Sequence, residues 1–374
     1  MHASSRFVPS AAALAAAIAV ALPAQGPSTP PCHGLGAVLQ IQQDLLAQAP
    51  VFGSSCVGIE QHGAVVHQAC VGSFGPQEVV PIASATKTLS AAVLLSLVDT
   101  GALSLDDRVG QYLPEWNVGQ RASITLRMCF AHTSGMVGQH PAVGDDTLTL
   151  RQAAAVLATE PLRAVPGTEF FYGGVSMHVA GAVCEVATGQ SWAQLFQQRI
   201  AGPLGMTSTD YYGFGVTQNP RIAGGARSSL GDYGAFVAML RRGGMHQGQQ
   251  VLGPASVAAM LTDQTGGALI ASTPHPDQAP YGVGIWLDRQ DAHGNTLLAS
   301  GVGAFGFTGW VDRAHDASGV FVVRYSNQQV RPFVERVWAE TDAALWPRGV
   351  ACVGTGSPAC RAGAWLNGTL PARA

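Results

Sequence analysis

A chain of 374 residues with 47% hydrophobic and 11% charged side chains is long enough to bury a large core. Its net charge of -3 comes with no basic patch and no acidic tail, which excludes a nucleic-acid-binding surface and a charged disordered arm.

His2 and Arg6 precede an apolar run, Ala11 to Leu22, that is too short to span a bilayer and is followed by small residues. Residues 1–24 are therefore predicted to be an export signal cleaved near Ala24, with no cysteine there to carry a lipid. The expected mature protein is exported, periplasmic or secreted, with no stable membrane anchor. Export makes the seven cysteines candidates for disulfides, and the odd count leaves at least one thiol free or bonded to another molecule. Cys32 is the unassigned one. From 35 to 49 the apolar residues Leu35, Val38, Leu39, Ile41, Leu45 and Leu46 have helical spacing. Two strand-like segments around His62-Gly63 follow. They bring Cys56 and Cys70 nearly opposite each other, which predicts a cross-strand bridge.

The next segment, Pro81-Ile-Ala-Ser-Ala-Thr-Lys-Thr-Leu-Ser90, holds the single lysine of the chain, every other basic residue being arginine. An amine can lose its proton near neutral pH and a guanidinium cannot. The apolar run from Leu89 to Val98 predicts a buried helix closed by Gly101, with Ser84 at its N-cap and Lys87 in its first turn. Residues three apart share a helix face. An N-cap serine is ordinary, but a cation in the first turn opposes the helix dipole by roughly 0.3–1 kcal/mol, and a capping box would place Glu or Gln there. A nucleophile with its base explains both residues. The helix end disfavours the ammonium and stabilises an alkoxide, leaving an amine able to take the hydroxyl proton.

Residues 102 to 224 are mostly helical and turn-rich, with a helix from about Ser176 to Ala187. Cys129 and Cys184 sit in apolar helical surroundings that favour buried free thiols. Strands are predicted at Tyr281–Asp288, Gly306–Asp312 and Val320–Tyr325, and an amphipathic helix from about Pro332 to Leu345. Residues 346–374 form a Gly/Ser/Pro-rich tail in which Cys352 and Cys360 could close a short loop. Strands near both ends with helices between them point to one α/β lobe, about 32–101 with 225–345, and an inserted helical lobe, about 102–224.

A series of segments then carries a family resemblance: Ile82-Ala-Ser-Ala-Thr-Lys87, Gly101-Ala-Leu-Ser-Leu-Asp-Asp-Arg108, Ala131-His-Thr-Ser-Gly-Met136, Pro166-Gly-Thr-Glu-Phe-Phe-Tyr172, Ile200-Ala-Gly-Pro-Leu-Gly-Met206, Ala223-Gly-Gly-Ala-Arg-Ser-Ser229 and Ala304-Phe-Gly-Phe307. From about residue 36 to 345 the chain resembles the serine beta-lactamase and penicillin-binding protein superfamily, in its class C beta-lactamase, esterase and D-alanyl-D-alanine carboxypeptidase branch. The resemblance implies an α/β (α+β) transpeptidase-like fold, an antiparallel sheet flanked by helices with an inserted all-helical lobe. It implies that Ser84 is acylated, that Lys87 is its proton partner, and that Tyr172 is a second base reaching Ser84 from the helical lobe. A phenol beside an amine can shuttle a proton to a leaving group. The oxyanion hole would be the backbone N–H groups of Ser84 and Ala304. His132 is expected to be structural, inside the fold.

Two departures from the family pattern concern substrate binding, at Gly174 and at Gly301, Val302 and Gly303. The family's Tyr-x-Asn is here Tyr172-Gly-Gly174, without the amide that orients lysine and substrate. The third motif, Lys or His followed by Ser/Thr and Gly, aligns with Gly301-Val-Gly303, without the cation that grips a substrate carboxylate. Arg227 and Arg324 are the candidates to replace it. The expected substrates are small esters, amides or peptidoglycan-derived molecules, with esterase, D-alanyl-D-alanine carboxypeptidase and beta-lactamase as the alternatives among enzymes. The rival from another class is a catalytically silent member that binds peptidoglycan fragments or a protein partner. The histidines form no short-spaced ligand pair, so no metal or cofactor is expected. The oligomeric state is left open.

Overall fold

Alternating apolar residues from Cys56 to Val71 fold back at His62-Gly63, where φ of +51° and +87° makes the two-residue turn suited to the right-handed twist of a hairpin. The computed structural model describes residues 35–345 apart from 276 and 278. The segment expected to be an export signal, Cys32, and the tail with Cys352 and Cys360 lie outside the described residues. The hairpin strands β1 (Ser55–Gln61) and β2 (Ala64–Val71) join β3 (Trp286–Gln290), β4 (Thr296–Val302), β5 (Thr308–Asp312) and β6 (Ala317–Val323). The order is β2-β1-β6-β5-β4-β3, antiparallel throughout, with Ser55 opposite Val323 and Gln61 opposite Ala317. This is the mixed fold with an antiparallel sheet that the resemblance implied.

Every residue of β6 is buried, as a central strand covered on both faces requires. One face packs against α1 (Leu35–Phe52) and the last helix, through Ile41, Leu45, Phe52, Phe333 and Trp338. The other meets α2 (Thr86–Asp99) and helix Leu230–Arg241. Residues Thr86 to Leu97 are all buried, so α2 is a central helix with no solvent stripe. Gly101, at φ +71°, closes it by donating to the Val98 carbonyl.

Several boundaries differ from the sequence reading. Residues 281–285 form a turn, not the start of a strand. Gly284 has φ +73°, and a Cβ there would lie 2.7 Å from the Lys87 carbonyl, so this turn presses directly on α2. The last helix spans Asn327–Ala344 and carries Pro332 inside it rather than at its start. The helical stretch contains one short strand, Glu169–Phe171, paired in parallel with Leu269–Ser272. Helix Val175–Thr188 matches its expected span closely.

Cys56 and Cys70 face each other in register, with Cα atoms 4.1 Å apart and their sulfurs bonded. Cys129 and Cys184 are buried free thiols. Replacing both bridge cysteines by serine is expected to cost about 2–3 kcal/mol, because the bridge closes a 14-residue separation in the unfolded chain. Urea unfolding of the double variant should show a lower midpoint, and an unchanged midpoint would remove the bridge from the stability account.

Candidate active site

The segment leading into α2 is fixed by a short antiparallel pair, Val80 opposite Ser228 and Pro81 opposite Arg227. Ile82 N–H donates to the Ala226 carbonyl at 3.0 Å, and Ala226 N–H to Thr86 Oγ1 at 3.1 Å. Ser84 then lies in a single 3₁₀ turn, Ala83–Ala85, and not at the helix N-cap. That position belongs to Ala85, with no side-chain cap. The tight turn arises because Ala83 is held at φ +45°, a left-handed conformation costing an alanine on the order of 1–2 kcal/mol. Ser84 Oγ is therefore free of capping duty, on a residue that is only partly buried.

Lys87, at 4% exposure, brings Nζ to 3.0 Å from Ser84 Oγ and donates to the Ala223 carbonyl at 3.0 Å. Burial pulls its pKa from 10.5 down to about 7. The Tyr172 ring centroid is 4.5 Å from Nζ, a contact that favours the ammonium, but desolvation is the larger effect. Tyr172 follows the strand Glu169–Phe171 and donates its N–H to the Ser272 carbonyl at 3.1 Å. Its ring stacks on Trp286 at 5.2 Å and contacts His132 at 4.7 Å. Burial pushes its phenol up to about 12, while a hydrogen bond with the Ser84 hydroxyl pulls the other way. Ser84, Lys87 and Tyr172 thus meet in one place.

His132 is buried with both ring nitrogens unpartnered among the described residues, and burial holds its pKa well below the usual value. A neutral imidazole wedged among Phe170, Tyr172 and Tyr281 has a packing role.

The substituted positions differ in the room they leave. A Cβ at Gly174 would meet only Ala223 Cβ, at 3.6 Å, so the position is open. A Cβ at Gly301 would lie 2.5 Å from Thr88 Oγ1 and 2.8 Å from the Tyr233 hydroxyl, which itself donates to the Ala85 carbonyl at 2.9 Å. A side chain at 301 is excluded by these two neighbours. Val302 faces the other way, onto the cluster of Phe170, Tyr281, Trp286 and Tyr172. Gly303 allows β4 to approach the segment before Ser84, since a Cβ there would be 2.1 Å from the Ile82 carbonyl oxygen. Gly303 N–H is spent on the Phe307 carbonyl. Among the described residues, neither Ser84 N–H nor Ala304 N–H donates to another protein group.

Both replacement cations already have partners. Arg227 is bound to Asp210 by three hydrogen bonds, and Arg324 donates to the Val79 carbonyl with Glu78 3.6 Å away. The sequence reading did not single out the Ala223 carbonyl, the Trp286 wall or the Tyr233 plug as parts of the site. A backbone acceptor has no residue signature, and Trp286 reaches Tyr172 only through the parallel pairing of Glu169–Phe171 with Leu269–Ser272 and the turn that follows.

The Beta-lactamase family model matches residues 43–345. The chain belongs to the beta-lactamase family. This beta-lactamase-family chain is 31% identical over 144 residues to AmpH, a D-alanyl-D-alanine-carboxypeptidase/endopeptidase of Escherichia coli K12, a match covering 36% of this chain and 37% of that one. The aligned part is thus well under half of that relative's length. A candidate beta-lactamase from Bacteroides dorei superposes with a TM-score of 0.73 at 28% identity, covering 80% of this chain and 98% of that one. EstCE1, a hydrolase with promiscuous acyltransferase activity, superposes with a TM-score of 0.67 over 82% and 97% of the two chains, and at 20% identity it attests the fold alone.

Proposed function

We propose that this protein is an exported serine hydrolase that works through a Ser84 acyl-enzyme and acts most readily on small esters. The observation that carries the reading is the sole lysine, buried, held 3.0 Å from Ser84 Oγ and poised near pH 7. With its pKa drawn down by burial, Lys87 can be a free amine near neutral pH, keeping an N–H on the Ala223 carbonyl while its lone pair takes the Ser84 proton. Ser84 Oγ then attacks the ester carbonyl, and the developing oxyanion is held by the Ser84 and Ala304 N–H groups. The phenol of Tyr172 keeps its own proton at neutral pH, so it enters as a relay: it hands that proton to the departing alkoxide and is resupplied from the Lys87 ammonium. Water, deprotonated by the same amine, releases the acid and restores Ser84.

The AmpH likeness favours peptidoglycan-derived amides as a second reading. The sealed position at Gly301 weighs against it, because a substrate ending in a carboxylate loses its cation there. A silent binding role is disfavoured by the cost of burying an amine beside a serine with no reaction to serve.

Intact-mass labelling with a fluorophosphonate tests the reading. One adduct at Ser84 is expected, and its rate should rise with pH through about 7 and level off above, because the reactive amine is the deprotonated form. A missing adduct, or a rate that falls as pH rises through 7, would reject it.

A further inference from the structure

Arg221 opens the turn that supplies the Ala223 carbonyl to Lys87, its own carbonyl accepting from Gly224 N–H at 3.0 Å and Gly225 N–H at 2.7 Å. Its guanidinium has two close neighbours. One is the ring of Phe214, 4.4 Å from the guanidinium carbon, and the other is Gly144, where an added Cβ would be 3.1–3.4 Å from three of its atoms. Among the described residues its N–H groups have no hydrogen-bond acceptor and no acid within salt-bridge range. The acid nearest in sequence to Gly144, Asp145, turns its carboxylate to Thr147 Oγ1 and N–H at 2.6 and 3.0 Å. Arg227 and Arg324, by contrast, are paired.

The surroundings tie this fork to the reaction site. Gly138 accepts from Gly174 N–H at 2.7 Å, and the loop from Gly138 to Gly144 runs from that contact to the guanidinium. Gly174 and Ala223 face each other across the unfilled position noted above. Tyr172, Trp286 and Val302 wall the side where the leaving group would take its proton. An acyl chain on Ser84 that leaves that wall meets the open position between Gly174 and Ala223, in the turn that Arg221 opens.

We propose that Arg221 is a specificity-determining residue for the acyl portion of the substrate, selecting esters whose acyl chain ends in a carboxylate. This rests on the Ser84 reading and deepens it: the site lacks a cation on the leaving-group side and holds one on the acyl side. A planar guanidinium fork binds a carboxylate through two parallel hydrogen bonds.

The test compares mono-p-nitrophenyl adipate with its neutral methyl-capped counterpart on the same preparations. The wild type should favour the anionic ester. Arg221→Gln should lower kcat/KM for it by about 10- to 100-fold, mostly through KM, with a far smaller loss on the neutral ester. Arg221→Lys, which keeps the charge and loses the fork, should fall between. Equal losses on both esters, no loss on either, or a wild type preferring the neutral ester would each overturn the proposal. Ester turnover that survives Ser84→Ala would instead indict the underlying reading of the nucleophile.

Discussion

Lys87→Arg is expected to abolish acylation of Ser84 while the protein still folds. Arginine keeps a positive charge near the Ala223 carbonyl and the Tyr172 ring but cannot accept the serine proton at any accessible pH. The loss should be about three orders of magnitude or more in labelling rate, the scale set by removing a general base from a unit that acts together. Because the larger guanidinium enters a fully buried site, Lys87→Met serves beside it. Methionine fills similar volume, removes the desolvated amine and should unfold at no lower temperature than the wild type. Undiminished labelling of either folded variant would end the assignment of Lys87 as the base.

The second large effect concerns substrate class. A chromogenic cephalosporin carries its carboxylate on the leaving-group side, where position 301 is closed by Thr88 and Tyr233, and on its acyl side it meets Gly174, which offers no amide. A charged hydrogen bond is worth roughly 1.5–3 kcal/mol and a neutral one less. Together the two losses should set kcat/KM for the cephalosporin about one to four orders of magnitude below that of a short-chain p-nitrophenyl ester. Esters need only the nucleophile, the oxyanion donors and a cleft, since an alkoxide or phenoxide departs more easily than an amine. Efficient cephalosporin turnover with a sluggish ester would reverse the reading.

What the sequence made legible follows from short-range rules. The hairpin and its bridge were visible because alternation and the His62-Gly63 turn fix the register, and the register places Cys56 opposite Cys70. Helix Val175–Thr188 was visible because apolar residues dominate it up to Gly189, at φ +67°. Ser84 was misplaced by one turn element because the Ala83 conformation is imposed by contacts distant in sequence, from Ala226 and Gly303, against the preference of alanine itself. Strand β4 was not recognised as a strand. Its Ser300-Gly301 end has low strand propensity, and only pairing with β3 and β5 holds it extended. Arg221 escaped because nineteen arginines look alike in a sequence, and whether one lacks an acid is a matter of three-dimensional bookkeeping.

The plug at Gly301 also sets the evolutionary direction of this site. Tyr233 lies where a side chain at position 301 would begin, and its hydroxyl is anchored on Ala85, next to the proposed nucleophile Ser84. Restoring the lysine by one substitution drives its Cβ into two buried oxygen atoms, and shrinking Tyr233 first opens a cavity and strips a hydrogen bond from the turn that aims Ser84. Either first step costs stability before the second can help. The departure acts as a ratchet: the path toward gripping a beta-lactam carboxylate at this position is barred to single mutations, while the opposite wall, with its open Gly174, stays free to vary.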